Sequence, residues 1–175
     1  SLPNSDDWTL GNEDFTIDFW VKFDPISGGG QSIIGQHYNG GYDWTLMKER
    51  NNTLSFSWVS GYSSRASFDT RYPIDWGANS WHHVALERSG AKPYLFIDGV
   101  SAPLVISAAF GYLAGIPSDL RIGERFGGYM RGSIDELRVT KGAALWTNDF
   151  TPPNEEFQGL YEPDGTFTSD PIEVN

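Results

Sequence analysis

The 175-residue chain has no cysteine. Disulfides and thiolate metal sites are therefore excluded, and stability must come from a packed interior. A single domain of this length can bury one without staples. The lack of cysteine leaves the compartment open. Positive charge is also scarce: 12 Lys and Arg face 23 Asp and Glu, a formal net charge of −11. Nucleic acid is excluded as a partner, because phosphate binding needs a basic face. No apolar run approaches the ~20 residues of a membrane span, so membrane insertion is not expected. No signal-peptide pattern opens the chain. The start at Ser1-Leu2-Pro3 reads as an excision from a longer polypeptide, whose neighbouring domains are expected partners. Helical periodicity is missing from every long segment.

Turn formers and aromatics are plentiful: 20 Gly, 10 Pro and 15% aromatic residues. That composition favours an all-β protein. In Phe15 to Phe23, Phe15, Ile17, Phe19, Val21 and Phe23 alternate with Thr16, Asp18, Trp20 and Lys22, so the first set shares one face of a strand. Trp81-His82-His83-Val84-Ala85-Leu86 and Pro93-Tyr94-Leu95-Phe96-Ile97 read as two further strands. The second ends at Asp98-Gly99, a dipeptide suited to the two positive φ angles of a type I′ turn. Further strands are expected at Ser32–Gln36, Trp44–Lys48, Leu54–Val59, Ala66–Thr70, Val100–Ile106, Leu120–Gly123 and Gly132–Thr140. Gly142–Trp146 is expected to form one helical turn. Strands recurring about every ten residues make an antiparallel two-sheet β-sandwich of jelly-roll type. Residues 1–157 form this domain; 158–175 read as a polar tail or linker.

Four motifs stand in a recognisable order: Gly11-Asn12-Glu13-Asp14-Phe15-Thr16-Ile17-Asp18-Phe19-Trp20-Val21, then Trp81-His82-His83-Val84-Ala85 with Phe96-Ile97-Asp98-Gly99, then Leu120-Arg121-Ile122-Gly123, then Gly132-Ser133-Ile134-Asp135-Glu136-Leu137-Arg138-Val139. The run from Lys141 to Pro153 extends the last. Together they resemble the laminin-G-like, concanavalin A-like jelly-roll superfamily over about Trp8 to Phe157. The resemblance implies a recognition scaffold of a bacterial surface or phage virion protein. It fits an animal laminin G module less well, since those are usually disulfide-bonded.

Catalytic chemistry is poorly supported. Some members of the superfamily are laminarinase-type glycoside hydrolases carrying Glu-x-Asp-x-x-Glu on one strand, and no such string exists here. Asp14 and Asp18 share a strand face but lie about 13 Å apart, whereas a retaining pair needs about 5–5.5 Å. His82 and His83 are adjacent, so a strand points them to opposite faces; one is expected buried and the other at the surface. Gly28-Gly29-Gly30 lacks the Lys-Ser/Thr of a phosphate loop.

Asp135 is the metal candidate. Alternation places it with Leu137 and Val139 on an inward face, where a carboxylate needs a partner. The resemblance implies Ca²⁺ at this Asp with oxygens from the N-terminal segment, for which Asp7 and Asp14 are the main candidates, beside Asp6 and Asn12. A salt bridge from Asp135 to an arginine such as Arg138 is the alternative.

Sugar recognition sets an aromatic plane against the apolar sugar face and fixes hydroxyls with polar groups, mostly from loops. Two stretches carry those types: His37, Tyr38, Tyr42 and Asp43, and Trp58, Tyr62 and Arg65. Alternation with Phe56 also allows Trp58 a place in the core. The two stretches are expected to converge at one end of the sandwich. Arg125-Phe126-Gly127-Gly128-Tyr129 is a weaker third. Trp20, Trp44 and Trp81 are assigned to the core or sheet faces. The reading is a non-catalytic, carbohydrate-binding module of an extracellular, cell-surface or virion protein, with calcium as candidate cofactor. A structural, assembly or protein-binding spacer is the rival. A glycoside hydrolase or polysaccharide lyase comes third.

Overall fold

The computed structural model describes residues 1–25, 29–38, 42–59, 65–125, 128–154 and 172–174. The strands are β1 Phe15–Phe23, β2 Gln31–Tyr38, β3 Tyr42–Lys48, β4 Leu54–Val59, β5 Arg65–Thr70, β6 His82–Ser89, β7 Lys92–Ile97, β8 Val100–Ser101, β9 Leu104–Ile106, β10 Leu120–Ile122, β11 Glu124–Arg125, β12 Gly128–Tyr129, β13 Gly132–Lys141 and β14 Ile172–Val174. Two antiparallel sheets of six strands pack face to face. The first runs β14-β13-β1-β6-β7-β8, the second β10-β2-β3-β4-β5-β9, and β11-β12 form a separate hairpin.

The alternation in β1 does what it implies. Phe15, Ile17, Phe19, Val21 and Phe23 enter the core against Ile34, Leu46, Leu54, Phe56 and Phe68 of the second sheet. At roughly 25 cal/mol per Å² of apolar surface, this shared layer is the main favourable term in folding. Asp98 and Gly99 have φ of 52° and 77°, and Ile97 pairs with Val100 across them, the geometry of a type I′ turn. The expected strand from Val100 to Ile106 is broken. Pro103 cannot donate to a ladder, and the chain crosses there from β8 in the first sheet to β9 in the second. β14 falls inside the expected polar tail and pairs with Gly132–Ile134 of β13.

Residues 142–154 form no helical turn. They lie as an extended strap over the outer face of the first sheet. Thr16 Oγ1 donates to the Ala143 carbonyl and accepts from the Leu145 N–H. The Trp146 N–H donates to both carboxylate oxygens of Glu87, at 2.9 and 2.8 Å. Trp146 stacks on Phe150 with ring centroids 4.0 Å apart. The Phe150 N–H reaches the Gly99 carbonyl. Beneath the strap, Arg138 holds Asp18 with two 2.9 Å bonds, and His83 Nε2 lies 3.4 Å from the same carboxylate. Asp18 and Glu87 are both fully buried. Burial raises the Glu87 carboxyl to about 7; nearby Asp18 adds to the rise, while the Trp146 N–H and Arg138 oppose it.

Candidate functional site

The strap occupies the middle of the first sheet's outer face, so the second sheet's outer face is the place to seek a site. Its outward residues follow from register. Asp43, Thr45 and Met47 of β3 alternate with the core residues Trp44 and Leu46. Ser55 and Ser57 alternate with Leu54, Phe56 and Trp58 on β4. Ser67 and Asp69 pair with Ser57 and Ser55. The outward set is therefore short and hydroxyl-bearing, but it is covered: Thr45 is fully buried, and Ser55 and Ser57 are nearly so.

The β11-β12 hairpin packs beside β2 and closes one end of this face. Arg125 Nη2 donates to Asp43 Oδ2 at 3.4 Å. Arg121 pairs with Glu124. His37 projects from β2, its Nε2 lying 3.5 Å from Thr45 Oγ1. Burial, then the Arg125 charge, lowers the His37 pKa to about 4. The imidazole is thus neutral near pH 7 and offers one donor and one acceptor. Tyr38 is 48% exposed and Tyr129 65% exposed at the margins. Neutral imidazole, carboxylate and guanidinium at one end of the sheet, with exposed aromatic rings nearby, suit a polyhydroxylated ligand.

His37, Tyr38 and Asp43 thus lie on one sheet end. The two expected hairpins share that end, since Asp43 pairs with Val59 and Val59 with Arg65. Tyr62 and the side chains of Tyr42 and Arg65 lie outside the described residues. Trp58 is a correction: at 4% exposure it stacks on Phe110 inside the core, because it continues the inward set of Leu54 and Phe56. Trp81 lies on the outer side of the first sheet under Lys22 and is 40% exposed. Trp44 is core as expected. Thr45 and Ser57 are outward in register but buried, so they hold the site from beneath rather than face a ligand. Arg125 belongs to the weaker third stretch, and only tertiary packing brings it to Asp43, 82 positions away.

The three metal candidates do not come together. Asp18 pairs with Arg138 but Trp20 with Asp135, so β13 carries one extra residue at a β-bulge. Glu136, at φ 51°, absorbs it. The bulge reverses the alternation and sets Asp135 beside Trp20 rather than with Leu137 and Val139. Arg138 binds Asp18 instead of Asp135. Asp135 accepts from the Glu136 N–H, Asp14 from the Gly90 N–H, and Asp7 from Ser5 Oγ. Six residues of β1 separate the levels of Asp14 and Trp20, about 20 Å of strand. Among the described residues no group of three or more His, Asp or Glu could hold a metal ion. Asp7, Asp14 and Asp135 therefore do not fit a single Ca²⁺ site, which needs six to eight oxygens.

Among the described residues no helix is long and apolar enough to cross a membrane. No curated protein matches the sequence. Solved structures share its fold. The CBM40 domain of the Ruminococcus gnavus IT-sialidase, bound to α2,3-sialyllactose, superposes with a TM-score of 0.61 at 16% identity, covering 79% of this chain and 80% of that one. Domain 4 of AbnA, a GH43 extracellular arabinanase from Geobacillus stearothermophilus in complex with arabinotriose, gives 0.60 at 18% identity, covering 81% and 65%. Domains LG4-5 of the mouse laminin α1 chain give 0.55 at 14%, covering 75% and 36%. Residues 1–147 match the family Laminin_G_3, described as the concanavalin A-like lectin/glucanases superfamily, and the chain belongs to that family.

Proposed function

We propose that the protein is a non-catalytic carbohydrate-binding module of a larger extracellular protein, and that it binds glycan on the outer face of its second sheet. The observation that carries this reading is half-buried, neutral His37 beside the Asp43–Arg125 pair at one end of that face, with Tyr38 and Tyr129 exposed near it. Two domains of the same fold support it, one bound to sialyllactose and one to arabinotriose. These polar groups can serve sugar hydroxyls: carboxylate and imidazole nitrogen accept, and guanidinium donates.

The test is a glycan array with the wild type, Tyr38→Ala and Tyr129→Ala. Both tyrosines are exposed enough for truncation to spare the fold. Binding by the wild type that either variant weakens supports the reading. A folded protein that binds no glycan contradicts it and favours a protein-binding spacer.

A further inference from the structure

The strap over the first sheet is fastened by few contacts. At its ends the Gly142 N–H donates to the Asp14 carbonyl and the Phe150 N–H to the Gly99 carbonyl. Between them, Thr16 holds Ala143 and Leu145, and Glu87 holds Trp146. The Arg138 guanidinium lies 5.6 Å from the Trp146 ring centroid. None of Leu145, Trp146 and Phe150 belongs to the core that the sheets share. Leu145 is exposed and both rings are half-buried, so little apolar surface resists lifting the strap. What it covers differs in kind: Asp18, His83, Glu87 and Phe96 are all buried. The groups facing Glu87 are Thr16 and Asp18 on β1, His83 on β6, Tyr94 on β7 and Arg138 on β13. Lys92 stands over the far side, on the Tyr94 ring. Residues 143–148 bring no titratable side chain.

We infer that the strap is a proton-operated latch: it lies closed while Glu87 is protonated, and it lifts when Glu87 ionises, baring His83 and Phe96 while the sandwich stays folded. Among the described residues, one guanidinium serves two carboxylates beneath the strap, and it sends two bonds to Asp18. His83 Nε2 faces Asp18 too. Its Nδ1 is buried without a partner, so a second ring proton would be an orphaned donor. An ionised Glu87 is then an unbalanced buried anion beside Asp18. Lifting residues 143–150 hydrates it at the loss of a few hydrogen bonds and half-buried ring contacts. Unfolding would give up the whole core, so local opening is the easier relief. The sign follows from burial, which raises the Glu87 pKa from 4.5 to about 7 in the closed state. Closing takes up a proton, so opening grows as pH rises through that window and levels off above it.

The test is amide hydrogen exchange of the whole protein, followed by NMR at pH 5, 7 and 8.5 with and without low urea, and corrected for the intrinsic pH dependence of exchange. Leu145 and Trp146 report on the strap, Ile17 and Leu86 on the core. Wild type, Glu87→Gln and Thr16→Val are compared. In the wild type, opening at the strap amides is expected to rise on the order of a hundredfold from pH 5 to pH 8.5. These amides should exchange faster than the core and respond little to urea, since local opening exposes little surface. Glu87→Gln should lose most of the pH dependence. Thr16→Val should quicken strap exchange at every pH and keep the pH dependence. Strap amides that match the core in rate and urea response at every pH would overturn the latch, because the strap then leaves only with the fold. That comparison needs the wild type alone, so it decides even if Glu87→Gln fails to fold. A pH dependence that survives in Glu87→Gln, or strap exchange that quickens as pH falls, would also overturn it and assign the switch to another group, such as His83.

Discussion

Replacing Glu87 with Gln should remove a pH dependence that its burial creates. Glu87 is fully buried beneath the strap and titrates at about 7 rather than 4.5. Between those values the folded protein holds a proton that the unfolded chain releases, so stability falls as pH rises through this window. The shift corresponds to about 3 kcal/mol, fully lost above pH 7. For a protein of this size that is about 6–12 °C in Tm. Gln carries no titrating proton, although it gives up one of the two bonds from the Trp146 N–H. Self-repulsion in an acidic chain also lowers stability with pH, so the informative quantity is wild type minus variant. Urea unfolding at pH 5 and pH 8.5 measures it. The account expects Glu87→Gln to be the less stable protein at pH 5, and the gap to close or reverse by about 3 kcal/mol at pH 8.5. Parallel curves for the two proteins would refute the reasoning.

Further outcomes follow from the same contacts. A Cβ at Gly99 would lie 1.9 Å from the Phe150 carbonyl oxygen, whereas one at Gly90, also at positive φ, meets nothing within 4 Å. Gly99→Ala should therefore cost more than the about 1–2 kcal/mol of left-handed strain expected for Gly90→Ala, as read by denaturant midpoints. Arg138→Ala leaves the Asp18 carboxylate buried beside His83 and Glu87 without its guanidinium partner, and should cost about 3–5 kcal/mol in the same assay. Trp58→Ala should cost about 3–5 kcal/mol of stability, while Trp58→Phe should bind glycan like the wild type, because Trp58 is core.

Much of the fold was legible because side-chain alternation survives wherever a strand is regular. β1 and the β4 series of Leu54, Phe56 and Trp58 show this, and Asp98-Gly99 announced its turn. Asp135 was misread because a bulge one residue away reverses the alternation, and nothing local marks Glu136 as the residue at φ 51°. The strap was illegible for another reason. Its polar anchors, Thr16 and Glu87, sit 129 and 59 positions from their partners Leu145 and Trp146. The site was half legible: His37, Tyr38 and Asp43 were singled out, but what joins them to Arg125 is the packing of the β11-β12 hairpin beside β2, a purely tertiary event.

The central claim is the location of the glycan face, and amide chemical-shift mapping tests it most directly. ¹⁵N-labelled protein would be titrated with arabinotriose, laminarihexaose and 3′-sialyllactose in turn. The account predicts that the saccharide that binds shifts the amides of His37, Asp43, Thr45, Ser57, Arg125 and Tyr129. Shifts confined to the strap, or to the rim around Asp7 and Asp14, would contradict it.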